Sequence, residues 1–377
     1  MDFDLSEQQQ VVNDLAAQIF EGQATTERVK AAEAADGFDR ALWSALAGAG
    51  LLGLCLPERD GGADMGMVEL ALIAEQQGRR VAPVPVVPTL VTAMTVARHG
   101  SDELRAELLP GVIDGSIILT SALAEVGANE VASPTTLATA TADGYHLAGC
   151  RPAVPYGQHA KRIVVPARLE NGESALFAID PAAAGVTVEV AAATDRQPAA
   201  HITLDTGVPA AARFGHGESL VELYRQFMVG LCAVHLGVAE GSLALTADHV
   251  RTRHQFGKPL SAFQAVGQRA ADAYITTEAL RVTTMNAAWR LAEGLPAGRD
   301  VLVAAYWASE GGQQVALTGQ HLHGGIGADV DYPVHRYFQW SSQLANTLGT
   351  ASSHLARLGE LIANDTSNNT GNDTGVA

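Results

Sequence analysis

The run Arg253-His254-Gln255-Phe256-Gly257-Lys258-Pro259-Leu260, followed by Phe263-Gln264, brings a guanidinium, aromatic rings and amides into one short stretch. An arginine and a phenylalanine three residues apart can hold a dinucleotide, the guanidinium on the pyrophosphate and the ring against adenine or ribose. The same residues also read as an ordinary helix C-terminus, where a basic group complements the macrodipole and glycine breaks the helix. The helix leading into them is written in the spacing: Cys232, Leu236, Ala239, Leu243, Ala247 and Val250 recur every three or four residues and share a face. Gly257-Lys258-Pro259 is expected to end it.

Further on, His323-Gly324-Gly325-Ile326-Gly327 precedes Asp331-Tyr332-Pro333-Val334-His335-Arg336. R-x-Q-F-G-x-P-L-x-x-F-Q with H-G-G-x-G and Y-P resembles the acyl-CoA dehydrogenase family. Phe38-Asp39-Arg40-Ala41-Leu42-Trp43 and Leu56-Pro57-Glu58-Arg59-Asp60-Gly61-Gly62 are similar to its amino-terminal helical domain. Gly144-Tyr145-His146-Leu147-Ala148-Gly149 is similar to part of its middle β-domain, so the likeness spans nearly the whole chain. It implies FAD as cofactor, an acyl-CoA thioester as substrate and electron-transfer flavoprotein as acceptor. It also implies that a Glu removes the α-proton while a hydride passes from the β-carbon to the flavin.

In the family that Glu stands in an E-G-T triplet or on the helix leading into R-x-Q-F-G. The matching positions here are Leu348, in Leu348-Gly349-Thr350, and Phe227. Neither side chain accepts a proton, so no catalytic residue is assigned. Glu240 and Glu222 are the alternative bases. Glu240, four residues after Leu236, reads as a rim charge, and Glu222 as a carboxylate favoured near a helix start.

Other family positions have changed as well. T-E-P-x-A-G-S-D is replaced by Ala124-Glu125-Val126-Gly127-Ala128-Asn129-Glu130, and the usual Lys after Gly149 is Arg151. The aromatic and hydroxyl residues that flank the flavin ring become Ala153 and Pro155, which can neither stack nor donate. The dinucleotide side is kept: Arg253, Gln255, Phe256, Gln264, Gly324 and Gly325 match, with His321 where the family usually has Gln. By the resemblance, FAD lies across a subunit interface, its ring in one chain and its ADP half against the neighbour. The expected role is therefore the ADP-side clamp for a catalytic partner chain. That pattern resembles the base-lacking subunit of heterotetrameric (α2β2) acyl-CoA dehydrogenases of actinobacterial steroid degradation. Asp329-Val330-Asp331-Tyr332-Pro333 and Leu355-Ala356-Arg357-Leu358-Gly359 look like that subgroup, which implies a bulky sterol side-chain CoA thioester. A self-sufficient homotetramer with a relocated base and a flavin-free assembly scaffold are the alternatives.

The elements that must carry these residues suggest an α+β fold. Residues 1–117 read as a helical domain, 118–215 as a small antiparallel β-barrel, 216–363 as a four-helix bundle and 364–377 as a disordered polar tail. In the first part Met67, Leu70 and Ala74 mark a helix closed by Gly78, and Pro83, Pro85 and Pro88 mark an extended crossing. In the second, Ile163-Val164-Val165, Ala175-Leu176-Phe177-Ala178-Ile179 and Val186-Thr187-Val188-Glu189-Val190 are short β-rich runs. A net charge of −17 argues against nucleic acid as a partner. The absence of a leader and of a long apolar run suggests a cytoplasmic protein without a membrane span. Cys55, Cys150 and Cys232 read as buried thiols, and His321 with His323 as too poorly spaced for a metal.

Overall fold

A computed structural model describes residues 4–125 and 133–370, so Val126–Glu130 lie outside the described residues. The chain opens with helices α1 (Glu7–Gln23), α2 (Thr26–Ala34), α3 (Arg40–Gly48), α4 (Met67–Arg79), α5 (Val86–His99) and α6 (Asp102–Ile113). Local chemistry sets their starts. Ser6 and Gln9 form a reciprocal capping box on α1, and Asp39 accepts from Leu42 N at 2.9 Å to cap α3.

Two expectations are corrected in this domain. Gly78 does not close α4 but lies in its last turn, where a Cβ would collide with Val234 O. It is glycine because two backbones meet there. Pro88 sits in the first turn of α5 rather than in an extended crossing, a place where its missing N–H leaves no helical bond unmade.

The middle of the chain is a sheet domain with strands β1 (Leu119–Ser121), β2 (Leu137–Thr141), β3 (Gly144–Pro155), β4 (Arg162–Leu169), β5 (Ser174–Ile179), β6 (Val186–Ala192), β7 (Pro198–Pro209) and β8 (Arg213–Phe214). Their order is β6-β7-β3-β2-β4-β5-β8, with β1 beside β4. The pairing is mixed rather than wholly antiparallel, because β1 and β2 both run parallel to β4. β1 enters directly from the helical domain, without the hairpin that would reverse its direction. The strand path among the described residues is open from β6 to β8. Leu147, Val154, Ile163, Val165, Phe177 and Ile202 fill its core.

The rest is helical: α7 (Gly217–Thr252), a hairpin of β9 (His254–Gln255) and β10 (Lys258–Pro259), then α8 (Gln264–Ala292), α9 (Gly298–Tyr306), α10 (Gln313–His323), α11 (Val334–Leu344) and α12 (Ala351–Thr370). α7 packs against α4, α5, α8, α10 and α11. By length and composition α7 could cross a bilayer, contrary to the expectation that no such run exists. Yet 67% of its most apolar window is buried inside the protein, as in a core helix. α12 continues past Asn364 to Thr370, where a disordered tail is expected; a helix once nucleated gains a bond per residue and runs on through polar sequence. Cys55 and Cys232 are buried with thiols pushed up to about 12 by desolvation, whereas Cys150 is exposed on β3.

Candidate functional site

α7 ends at Thr252, before the glycine and proline expected to stop it. Gln255-Phe256-Gly257-Lys258 instead makes a tight hairpin turn, with φ of 53° at Phe256 and 78° at Gly257. Two successive positive φ values suit the right-handed twist of paired strands. A phenylalanine seldom adopts that conformation, so the turn holds Phe256 at some cost in backbone strain. Its ring is 91% exposed at the hairpin tip, 6.3 Å from the Phe263 ring, which Lys258 Nζ overlies at 4.3 Å.

Arg253, Gln255 and Gln264 are exposed beside it, and no ion pair or hydrogen bond engages their side chains among the described residues. The second motif reaches the same end of the bundle. The His249 ring in the last turn of α7 stacks on His323 in the last turn of α10, with centroids 4.4 Å apart. His323 Nδ1 bonds Gly319 O at 2.7 Å and its Nε2 lies 3.2 Å from Tyr332 Oη. Burial lowers the pKa of both imidazoles; for His249 the neighbouring His323 and Arg253 add to the effect. His321 is exposed on the adjoining face. Gly324 has φ 63° and ψ −139°, a region open essentially to glycine, and a Cβ added at Gly324 or Gly325 would meet only open space.

By chemical type these residues suit the ADP half of FAD: a guanidinium for phosphate, a ring for adenine or ribose and amides for hydrogen bonds. An exposed guanidinium, an exposed ring, amides and a bare glycine backbone stand at the same end of the bundle, joined there by the His249–His323 stack. The ring side differs. Arg151 is 1% exposed; its guanidinium pairs with Glu125 and Pro166 O, and its Nε donates to Thr136 Oγ1 at 2.9 Å. The register of β3 on β7 shifts between Arg151 and Val154, with Ala153 at φ 47° and Tyr156 at φ 52°. Ala153 N donates to His201 Nδ1 at 3.2 Å, and neither an aromatic face nor a hydroxyl stands at Ala153 or Pro155.

The two positions expected of a base line neighbouring cavities. Phe227, with Leu344, Thr347, Ala153 and Pro155, lines a cavity of about 320 Å3 where the three domains meet. Leu348 lines a second of about 580 Å3, together with Glu125, Arg151, Tyr224 and Arg357. Leu348 is left-handed at φ 60°, and its carbonyl accepts from Tyr224 Oη at 2.9 Å, which in turn accepts from Arg357 Nη1 at 2.8 Å. Glu240 lines neither cavity; Arg79 and Arg281 pair with it between α4, α7 and α8. Glu222 is bound by Arg98 at 2.7 Å and His99 at 3.0 Å, and these partners outweigh its desolvation to lower its pKa.

One carboxylate absent from the sequence reading does line the first cavity: Asp195, 5% exposed. Burial raises its pKa, against hydrogen bonds from Gln197 N at 3.1 Å and Nε2 at 2.8 Å. In sequence it is an aspartate in a Thr-Asp-Arg-Gln-Pro turn, which carries no sign of burial.

Residues 6–116 match the model of the acyl-CoA dehydrogenase N-terminal domain and residues 226–362 that of the acyl-CoA dehydrogenase C-terminal domain. The chain is 38% identical to acyl-CoA dehydrogenase FadE27 of Mycobacterium tuberculosis over 96% of its length and 99% of the relative's. Among solved structures it resembles a steroid ACAD, the Tcur3481-Tcur3483 G363A variant, with a TM-score of 0.89 and 44% identity over 96% of this chain and 99% of that one. It also resembles the ChsE4-ChsE5 complex from Mycobacterium tuberculosis, with a TM-score of 0.92 and 38% identity over 96% and 99%.

Proposed function

Because the chain belongs to the acyl-CoA dehydrogenase family, whose members use FAD, we propose that it serves as the subunit that grips the ADP half of FAD for a catalytic partner chain. The observation that carries this reading is an asymmetry within the chain. At the two base positions stand Leu348 and Phe227, and Glu240 and Glu222 are tied into ion pairs away from both cavities. The dinucleotide-side residues, by contrast, are exposed and unengaged.

In this role the Arg253 guanidinium binds the pyrophosphate and the Phe256 ring lies against adenine or ribose. Gln255, Gln264 and His321 hydrogen-bond the nucleotide, and Gly324-Gly325 let the backbone approach it. FAD, when bound, accepts the hydride; the partner contributes the carboxylate that takes the α-proton and the surroundings of the ring. The likeness to a steroid ACAD and to a two-component complex supports a hetero-oligomer of α2β2 type acting on a sterol side-chain CoA thioester. Electron-transfer flavoprotein is the proposed electron acceptor, and the cytoplasm the proposed location.

The test is to purify the chain alone and together with the dehydrogenase encoded beside it, and to measure bound flavin and turnover in each. Flavin and activity in the pair but not in the single chain are expected. Full flavin loading and turnover in the isolated chain would overturn the reading, and a pair lacking flavin absorbance would make the chain a scaffold. Asp195 favours a second reading, a self-sufficient enzyme with a displaced base, because it is a buried carboxylate in the cavity that Phe227 lines. On the proposed reading Asp195→Asn leaves turnover of the pair within about twofold. On the second it costs about 100- to 10,000-fold, the usual loss with a general base.

A further inference from the structure

The hairpin that follows α7 carries one cation more than the clamp described above uses. Gln255 stands directly across from Lys258 and His254 from Pro259, and Leu260 N donates to Arg253 O at 2.9 Å, so the pairing runs on to Arg253 and Leu260. Arg253 itself is extended, at φ −77° and ψ 123°. Side chains alternate along a strand, and residues directly opposite one another across an antiparallel pair share a face. Arg253, Gln255 and Lys258 therefore stand on one face of the ribbon, and His254 and Pro259 on the other.

Lys258 is supported in that place. Its Nζ lies 4.3 Å from the centre of the Phe263 ring, which the Phe256 ring approaches to 6.3 Å. A ring face steadies an ammonium yet leaves most of its three N–H donors open. Lys258 is exposed, and no ion pair or hydrogen bond engages its ammonium among the described residues.

The sequence leaves this cation uncompensated. The chain has 41 acidic against 24 basic residues, yet from His249 to Ala271 there is no acid, while Arg251, Arg253, Lys258 and Arg269 fall inside that stretch. Arg251 pairs with Asp248, just before the stretch, at 3.6 Å. Arg253 and Lys258 have no such neighbour in the hairpin. Two like charges on one small face repel each other until an anion reaches both. A diphosphate carries a charge on each of two linked groups, so it can meet a planar guanidinium and a point-charge ammonium together.

We infer that Lys258 is a second phosphate-binding residue of the clamp, setting its ammonium on the diphosphate of FAD beside the Arg253 guanidinium, with Phe263 as its support. The inference rests on the reading above that this chain grips the ADP half of FAD. Arg253 supplies direction, because its fork fits two oxygens, and Lys258 supplies charge, because an ammonium accepts any approach.

The test takes the complex of the full chain with its catalytic partner, removes the flavin and titrates FAD back, followed by flavin fluorescence. Lys258→Met keeps the length of the side chain and its packing on Phe263 but removes the charge. It should weaken FAD about tenfold at low ionic strength, and Lys258→Arg should recover most of the loss. The loss should shrink in about 1 M salt, where the screening length falls to roughly 3 Å. ADP, used as a competitor, should lose potency by the same factor and adenosine by none. Unchanged FAD affinity in Lys258→Met, a loss undiminished by salt, or an equal loss for adenosine would overturn the inference and leave Lys258 as a brace for Phe263. Failure of Lys258→Met to co-elute with the partner at saturating FAD would overturn it too, by giving the ammonium to a partner carboxylate. Arg253→Ala, titrated alongside, separates the two claims. If it weakens FAD while Lys258→Met does not, the clamp stands and this inference falls; if neither does, both fall.

Discussion

Arg253 and Phe256 differ from most residues of this chain in what they lack: neither finds a partner for its chemistry within the described molecule beyond the 6.3 Å approach of Phe256 to Phe263. An exposed guanidinium on a phosphate makes charge-assisted bonds of about 1.5–3 kcal/mol, so Arg253→Ala should weaken FAD binding by the complex about 10- to 100-fold. The melting temperature of the apo chain should not move, since no protein contact is lost; flavin release followed by fluorescence checks both. His235 shows the opposite situation. It is buried on α7 with Nε2 2.8 Å from Ser341 Oγ, and desolvation lowers its pKa from 6.5 to about 3. Between those values the unfolded chain binds a proton that the native chain refuses, so stability is full above about pH 6.5 and falls as the pH drops. The slope from this group approaches about 1.4 kcal/mol per pH unit. Urea titrations at pH 7, 6 and 5 should show the loss, and His235→Gln should flatten it by one proton; an unchanged slope would remove His235 as the cause.

At the scale of elements, the crossing of α4 and α7 decides how the helical domain meets the bundle. Gly78, Gly237 and Gly241 bring backbone onto backbone: a Cβ at Gly237 would collide with Glu75 O, and one at Gly241 would press on Arg79 O and the Tyr337 ring. Gly237→Ala should therefore cost about 1–3 kcal/mol through overpacking, read as a lower urea midpoint at unchanged m-value. Across the same crossing Glu240 joins Arg79 to Arg281. Arg79 is part exposed, so Glu240→Gln should cost only about 1–2 kcal/mol of stability, with turnover of the complex unchanged. A matching loss of activity without destabilisation would restore Glu240 as a base. Much of this level was legible in the sequence, because apolar spacing and turn residues are local signals: the helix ending near Arg253, the β-rich runs of β4, β5 and β6 and the two motifs at the bundle end. What was not legible depends on neighbours distant in sequence. Gly78 reads locally as a helix stop and Pro88 as a break, yet the first serves a close approach to α7 and the second begins α5. Asp195 comes to line a cavity only when three domains close around it, and Glu240 is an ion-pair centre only because α4 and α8 each bring an arginine.

Across the whole molecule the bundle is unevenly covered. Tyr274 is 58% exposed, Ile275 65% and Val282 50% on α8, with Leu317 on α10 and Ile326 beyond it exposed as well. Single exposed apolar residues need no explanation, but several along one long helix suit a surface covered by another chain, and on the proposed reading that chain is the catalytic partner. Ile275 and Val282 lie two helical turns apart and so share a face. Replacing both by glutamate places charge on that face without entering the core, since each side chain is at least half exposed. Ile275→Glu with Val282→Glu should leave the far-ultraviolet circular dichroism and melting of the isolated chain unchanged. Co-elution with the catalytic partner on size exclusion should be lost, and with it the flavin bound between the two chains, even though every clamp residue is intact. If the double variant still co-elutes with its partner and keeps its flavin, α8 is not the assembly face, and the nucleotide must be closed in from another side.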